Sequence, residues 1–255
     1  MPSTSLTFAD HVQGTLVRAD PFIFGLDRPR PAVVTIDLHR GHLDPAVATL
    51  PLPPERAAAV VAANRAFLQR VRTHGVPVVH VITEYRDDDE ILSNPFWRAI
   101  AGSASTRGRQ AGHNLQGTPG TALMPGLLDG ATDRIVRPKK RYDAFLATDL
   151  AFVLDKVGAN LLFLTGVNTN SCVLTTAIVA STRDYACVVV SDCVDTMDGP
   201  AFHDAALELI QRAFGWVMSS TDAVTAIEHL SRAARPNPSG RQARATAAST
   251  EVSDS

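Results

Sequence analysis

The sequence predicts an α/β protein of three layers, α/β/α, with helices on both faces of a six-stranded parallel sheet. Two observations predict it. Short β-branched runs, apolar at nearly every position, alternate along the chain with longer stretches of helical periodicity. That is the pattern of strands buried on both faces and joined by crossover helices. The 255 residues, 45% hydrophobic and 20% charged, also have a globular composition that suits one large α/β domain or two small ones.

The elements follow in order. Residues 32–37, "AVVTID", are the first strand. "PPERAAAVVAANRAFLQRVRTHG" is a helix with Pro54 near its start and Gly75 at its end. On it Val60, Val61, Asn64, Phe67, Leu68 and Val71 share one stripe, with Asn64 the only polar member. Residues 76–83, "VPVVHVIT", are the second strand and 134–137, "RIVR", the third. "TDLAFVLDKVG" is a helix capped by Thr148 or a neighbour, and "NLLFLTG" is the fourth strand. "SCVLTTAIVASTRDY" is a helix of small residues, able to lie close against the sheet. "ACVVVSD" is the fifth strand, with Cys187 inside it and Cys193 just past it. "PAFHDAALELIQRAF" is a helix, "GWVMS" the sixth strand and "STDAVTAIEHLSRAA" the last helix, which completes a Rossmann-like alternation.

Residues 84–133 break the alternation and are too long for a plain connection. After the C-terminal end of a strand, such an excursion covers the ligand crevice. The chain therefore divides into an arm at 1–29, one domain at 30–234 and a tail at 235–255. The tail has Pro, Ser, Ala and charge without periodicity, the composition of a disordered segment.

The bulk numbers exclude several function classes. A formal net charge of -2 gives no electrostatic case for nucleic acid or for an anionic membrane surface. No apolar stretch approaches the roughly 20 residues that span a bilayer, and the N-terminus lacks a signal-peptide core. Three cysteines cannot form a disulfide framework and read as the thiols of a cytoplasmic protein.

In a parallel sheet the ligand site lies outside the carboxyl ends of the strands, where strand order reverses. Asp37 closes the first strand, Lys139 follows the third and Cys172 follows the fourth. They converge if the first and fourth strands are neighbours. Cys172 would sit in the first turn of its helix, with Thr169 or Asn170 as cap. There the helix dipole and a nearby ammonium favour thiolate, and backbone N–H groups can hold an oxyanion. Asp37, its pKa raised by burial, would shuttle the proton. Each residue also has a plain reading: a buried thiol, a turn-forming carboxylate, a surface lysine.

Taken together, the strand-ending Asp of "VVTID", the segment "PKKRYDAFLATDL" and "GVNTNSCVLTTAIVAS" followed by "YACVVVSDCV" resemble the isochorismatase-like cysteine hydrolases over roughly residues 30–225. This group includes nicotinamidases, N-carbamoylsarcosine amidase, and ureidoacrylate, maleamate and biuret hydrolases. The resemblance implies the isochorismatase-like hydrolase fold and a catalytic triad of Asp37, Lys139 and Cys172. It implies a cis peptide between Val167 and Asn168, and an oxyanion hole from the N–H groups of Asn168 and Cys172. It further implies a small-molecule amide substrate, no cofactor and a homo-oligomer, dimer or tetramer. His203 matches a position that is structural in the family.

The chain departs from the family pattern in two places. His39 and His42 stand where a glutamine and an aromatic are common, and they either contact substrate or make supporting hydrogen bonds. Nicotinamidases also carry metal-binding histidines after the second strand, where this chain reads "EYRDDDE", so that ligand set is missing and no metal is expected; the alternative is a metal on His39 and His42, which stand three apart. Glu84, Phe96, Trp97 and Tyr142 are further candidates for substrate contact, and "QGTPGTALMPGL" for a pocket wall or scaffold. The acidic run 87–90 would attract a cationic substrate or be a solvated loop. The reading is metal-independent cleavage of a C–N bond in a small amide, ureido compound or lactam. Its alternatives are isochorismatase-type vinyl-ether hydrolysis, a non-catalytic binding domain and a redox-sensing thiol.

Overall fold

The computed structural model describes residues 24–233. The predicted tail, most of the predicted arm and Ala234 lie outside the described residues. Six strands form one sheet: β1 Pro31–Ile36, β2 Val78–Thr83, β3 Arg134–Lys139, β4 Leu161–Val167, β5 Ala186–Asp195 and β6 Trp216–Met218. Every pairing is parallel and the order is β3-β2-β1-β4-β5-β6, so the order reverses between β1 and β4. That is the junction the sequence required.

The helices are α1 Arg40–Leu43, α2 Pro54–Thr73, α3 Asp88–Leu92, α4 Pro95–Ile100, α5 Leu150–Lys156, α6 Leu174–Thr182, α7 Pro200–Ala213 and α8 Ser220–Ala233. Alternate strand residues face opposite layers. Val33, Phe163 and Val188 pack against α2 and α8, whereas Val34, Leu162 and Val189 pack against α5, α6 and α7. Each fully buried Leu, Val or Phe contributes about 1.5–3 kcal/mol. The α2 stripe is buried throughout, and its polar member is anchored through its amide N–H groups: Asn64 Nδ2 donates to the carbonyls of Val60 and Cys193. Helix α2 starts on Pro54 and ends before Gly75, whose positive φ closes the last turn. Ala177 and Ala180 let α6 lie close to the sheet. Phe24, at the end of the predicted arm, is buried with its ring edge-on to Phe163 and Trp216.

Several boundaries shift. Strand β3 continues through Pro138 to include Lys139, which an edge strand tolerates because its outer N–H groups need no partner. Cys193 lies inside β5 rather than past it. The helix expected over 171–185 divides into a π-helical turn, Thr169–Val173, and α6. Asn168 holds the N-cap position without a side-chain cap bond, so neither Thr169 nor Asn170 caps. Those two side chains are engaged elsewhere, with His203 and with Thr196 and Asp198. Thr148 does accept the N–H of Leu150 at the start of α5. The excursion contains α3, α4 and two 3-10 turns, Gln110–Gly112 and Pro119–Thr121.

Candidate active site

Asp37, Lys139 and Cys172 meet at one point, each at most 5% exposed. Asp37 follows β1 with φ 54, a left-handed turn that directs the chain from the strand into α1. Its Oδ1 accepts the N–H of Thr83 at 2.8 Å and its Oδ2 accepts from Lys139 Nζ at 2.6 Å. The same ammonium donates to Thr83 Oγ1 at 2.7 Å and to Cys172 Sγ at 3.3 Å. An ammonium has three protons, and all three of this one are assigned.

This geometry sets the charges. Burial alone would raise the Asp37 pKa, but Lys139, His39 and His42 outweigh it and hold the carboxyl below its ordinary range. Burial would lower that of Lys139, and Asp37 with Cys172 outweighs it upward. Cys172 is pushed up to about 11 by burial, opposed by Lys139 and reinforced by the Asp37 carboxylate. The resting site is therefore carboxylate, ammonium and thiol. Two expectations are corrected: the Asp37 pKa is lowered, and the helix start does not hold Cys172 as a resting thiolate. Desolvation governs the thiol, and the short ion pair governs the acid.

Val167–Asn168 is a cis peptide, as expected, and Arg137–Pro138 is a second that the sequence reading missed. The loop that carries Cys172 is held from several sides. Asn168 Oδ1 accepts the N–H of Met197 at 2.9 Å, and Asn170 bonds Thr196 and Asp198. His203 Nδ1 lies 3.0 Å from Thr169 Oγ1, consistent with a structural role.

A small cleft opens onto the three residues. His42, Tyr142 and Asn168 line it as candidates read from sequence, together with Arg107, Gln110, His113 and Arg141, which sequence reasoning missed. These four come from the excursion and the turn after β3, where no periodicity ties a side chain to a face; Leu50, Thr83 and Tyr85 also line the cleft and were not singled out either. The one available signal was the expectation that the excursion covers the crevice.

Four candidates do not line the cleft. Glu84 lies 3.7 Å from Arg137, outside the cleft. Phe96 is 63% exposed. Trp97 is buried behind the wall and donates its indole N–H to Tyr142 Oη at 3.2 Å. His39 is buried behind the lining, its Nε2 3.6 Å from Asp37 Oδ1. Two of the acidic run have structural roles, Asp87 capping α3 and Glu90 pairing with Arg86 and Lys140, while Asp88 and Asp89 are exposed. The "QGTPGTALMPGL" stretch is scaffold, bonding the chain after β1 through Arg40 N–H to Ala122 O and Met124 N–H to Leu38 O.

The nicotinamidase metal positions after β2 hold no histidine. Among the described residues, His39, His42 and His113 form a group that could hold a metal ion.

A doubly wound parallel sheet of this order, with carboxylate, ammonium and thiol gathered at its switch point, has the architecture of the isochorismatase-like hydrolases. The family model for the Isochorismatase domain matches residues 31–222, and the chain belongs to that family. Maleamate amidohydrolase of Pseudomonas putida is 28% identical over 202 residues, 79% of this chain and 88% of the relative. A ureidoacrylate amidohydrolase of Methylorubrum extorquens is 37% identical over 40% of this chain and 41% of its own length. The crystal structure of N-carbamoylsarcosine amidase from Thermoplasma acidophilum superposes with a TM-score of 0.59 at 26% identity, covering 75% of this chain and 96% of that one. A cysteine hydrolase from Pseudomonas syringae has a TM-score of 0.68 at 23% identity, covering 79% and 93%, and shares the fold.

Proposed function

We propose that the protein is a cysteine amidohydrolase that opens a C–N bond of a small amide, ureido compound or lactam through a thioester, with no metal in the bond-breaking steps. The observation that carries this reading is a single ammonium, Lys139, hydrogen-bonded to both Asp37 and Cys172 at the cleft. As Sγ attacks the carbonyl carbon, Asp37 takes the thiol proton. Lys139 offsets the charge that develops on sulfur and then on the carbonyl oxygen. The N–H groups of Asn168 and Cys172 hold that oxygen, a contribution of about 3–4 kcal/mol for one such donor. The C–N bond then breaks as Asp37 returns the proton to the leaving nitrogen. Water, deprotonated by Asp37, attacks the thioester; the carboxylic acid leaves, and the proton returns to sulfur.

The cleft favours small anionic substrates. Arg141 lines it with its guanidinium on the carbonyls of Glu90 and Lys140, the hydroxyl of Ser93 and the ring of Trp97; none of these partners is a carboxylate. A substrate carboxylate would complete its pairing. The maleamate relative is named for such a monoamide.

The test is a panel of amides, ureas and lactams, with and without a carboxylate, followed by release of ammonia or acid. Turnover should vanish in Cys172→Ala with an unchanged circular dichroism spectrum, and carboxylate-bearing amides should lead the panel. Full activity in that variant would overturn the mechanism. Activity that needs Asp37 but not Cys172 would point to vinyl-ether hydrolysis instead.

A further inference from the structure

We propose that His39, His42 and His113 form a binding site for one divalent transition-metal ion, of the zinc type, beside the cleft. The rings come from two distant segments, the turn and short helix after β1 and the excursion just past the 3-10 turn Gln110–Gly112. Their centroids are 4.5, 4.8 and 5.4 Å apart. One ring nitrogen from each lies within 4.8 Å of the other two. No more than 4% of any of the three is exposed.

The hydrogen bonds prepare these rings to ligate. His42 Nδ1 donates to the carbonyl of Leu50 at 2.7 Å, and His113 Nδ1 lies 2.9 Å from Thr49 Oγ1. A carbonyl can only accept, so His42 carries its proton on Nδ1 and its lone pair on Nε2. Fixing the ligating tautomer through the other ring nitrogen is the usual support for a metal-bound imidazole. His39 is the second observation: it is wholly buried, and neither of its ring nitrogens has a hydrogen-bond partner. Each unmet buried polar atom costs about 1–3 kcal/mol. The three rings do not bond one another, and an electron-pair acceptor among them removes the deficit.

The chemistry selects the ion. Neutral imidazole suits zinc, copper, nickel or iron and is a poor ligand for magnesium or calcium. Around a tetrahedral ion with metal–nitrogen bonds of about 2.0–2.1 Å the nitrogens would lie about 3.4 Å apart, a contraction that side-chain torsions supply. Asp37, 3.6 Å from His39 Nε2, offsets the added positive charge. His42 and His113 line the cleft, so three imidazoles leave an open position there for water or a donor atom of the substrate. The set differs from the nicotinamidase positions after β2, where Glu84 lies beside Arg137 and Asp87 caps α3.

The experiment is a cobalt(II) titration of the full chain after chelator treatment, with the fold checked by circular dichroism. One equivalent should bind per chain, with visible ligand-field bands, no thiolate charge-transfer band, and displacement by zinc. His42→Ala and His113→Ala should each lose at least about 10–100-fold in affinity, since removing only the contacts that support a ligand already costs that much. Cys172→Ala should bind one equivalent as before, which separates this site from the amidase reading. Absence of stoichiometric binding, a thiolate band, or unchanged affinity in both histidine variants would overturn the proposal. Should either variant fail to fold, the wild-type titration and spectrum decide.

Discussion

Lys139 is a buried cation whose three protons are all committed, and this makes its neighbours depend on it. Lys139→Met leaves the Asp37 carboxylate buried without a counter-charge, and should cost about 3–5 kcal/mol in urea unfolding. Asp37→Asn in the same chain should restore much of that stability, because the buried charge is then gone. Acid acts in the same direction. Asp37 is held below its ordinary range, so its contribution is present above about pH 4 and drains away as pH falls toward its folded value. Cys172 has the opposite sign. With its folded pKa raised to about 11, its contribution is present at neutral pH and is lost as pH climbs from about 8.5 toward 11. Cys172→Ala should therefore lose about 2–3 kcal/mol less stability than the wild type over that range, read from unfolding curves at each pH. The identities of these three residues were legible in the sequence. Their charge states were not, because those depend on distances of a few ångströms across residues far apart in the chain.

At the level of elements, β1 and β4 set the distance between carboxylate and thiol. Gly166 in β4 has φ +110, and a Cβ there would meet the carbonyl oxygen of Ile36 at 1.9 Å. Gly166→Ala should cost roughly 2–5 kcal/mol, seen as a lowered Tm, because both the conformation and the space are denied to it. A second connection runs through Asp198, just past β5, which accepts from Thr106 at 2.5 Å and Asn170 at 2.8 Å and pairs with Arg107. It joins the excursion to the loop that carries Cys172. Asp198→Ala should raise KM about tenfold or more, since a hydrogen bond to a charge contributes about 1.5–3 kcal/mol. The six strands were legible because each is an apolar run whose neighbours change periodicity. The short helices α1, α3 and α4 were not, since four to six residues hold too few turns to show a period. His113 was missed for the same reason. It stands in a glycine-bearing loop and gains its neighbours only through tertiary packing.

For the whole molecule, the parallel order and the place of the switch point followed from alternation, and the cleft at that point followed from both. What alternation cannot supply is association. We expect the homo-oligomer that the family resemblance implies, and Phe152 and Phe202, 65% and 59% exposed, are apolar surface that a second copy would cover. Light scattering should give two or four times the chain mass of 27.2 kDa. A monomer at micromolar concentration would exclude that assembly. The ties from residues 196–198 to Asn168 and Asn170 also bear on the timing of synthesis. A chain emerging from the ribosome exposes Asp37 early, and Cys172 before the residues that hold its loop. The thiol comes under control only after the end of β5 has been made and has docked. A nascent or truncated chain that stops at residue 190 would thus lack the ties that hold the loop of Cys172, and the chemistry would switch on late, near the completion of the fold.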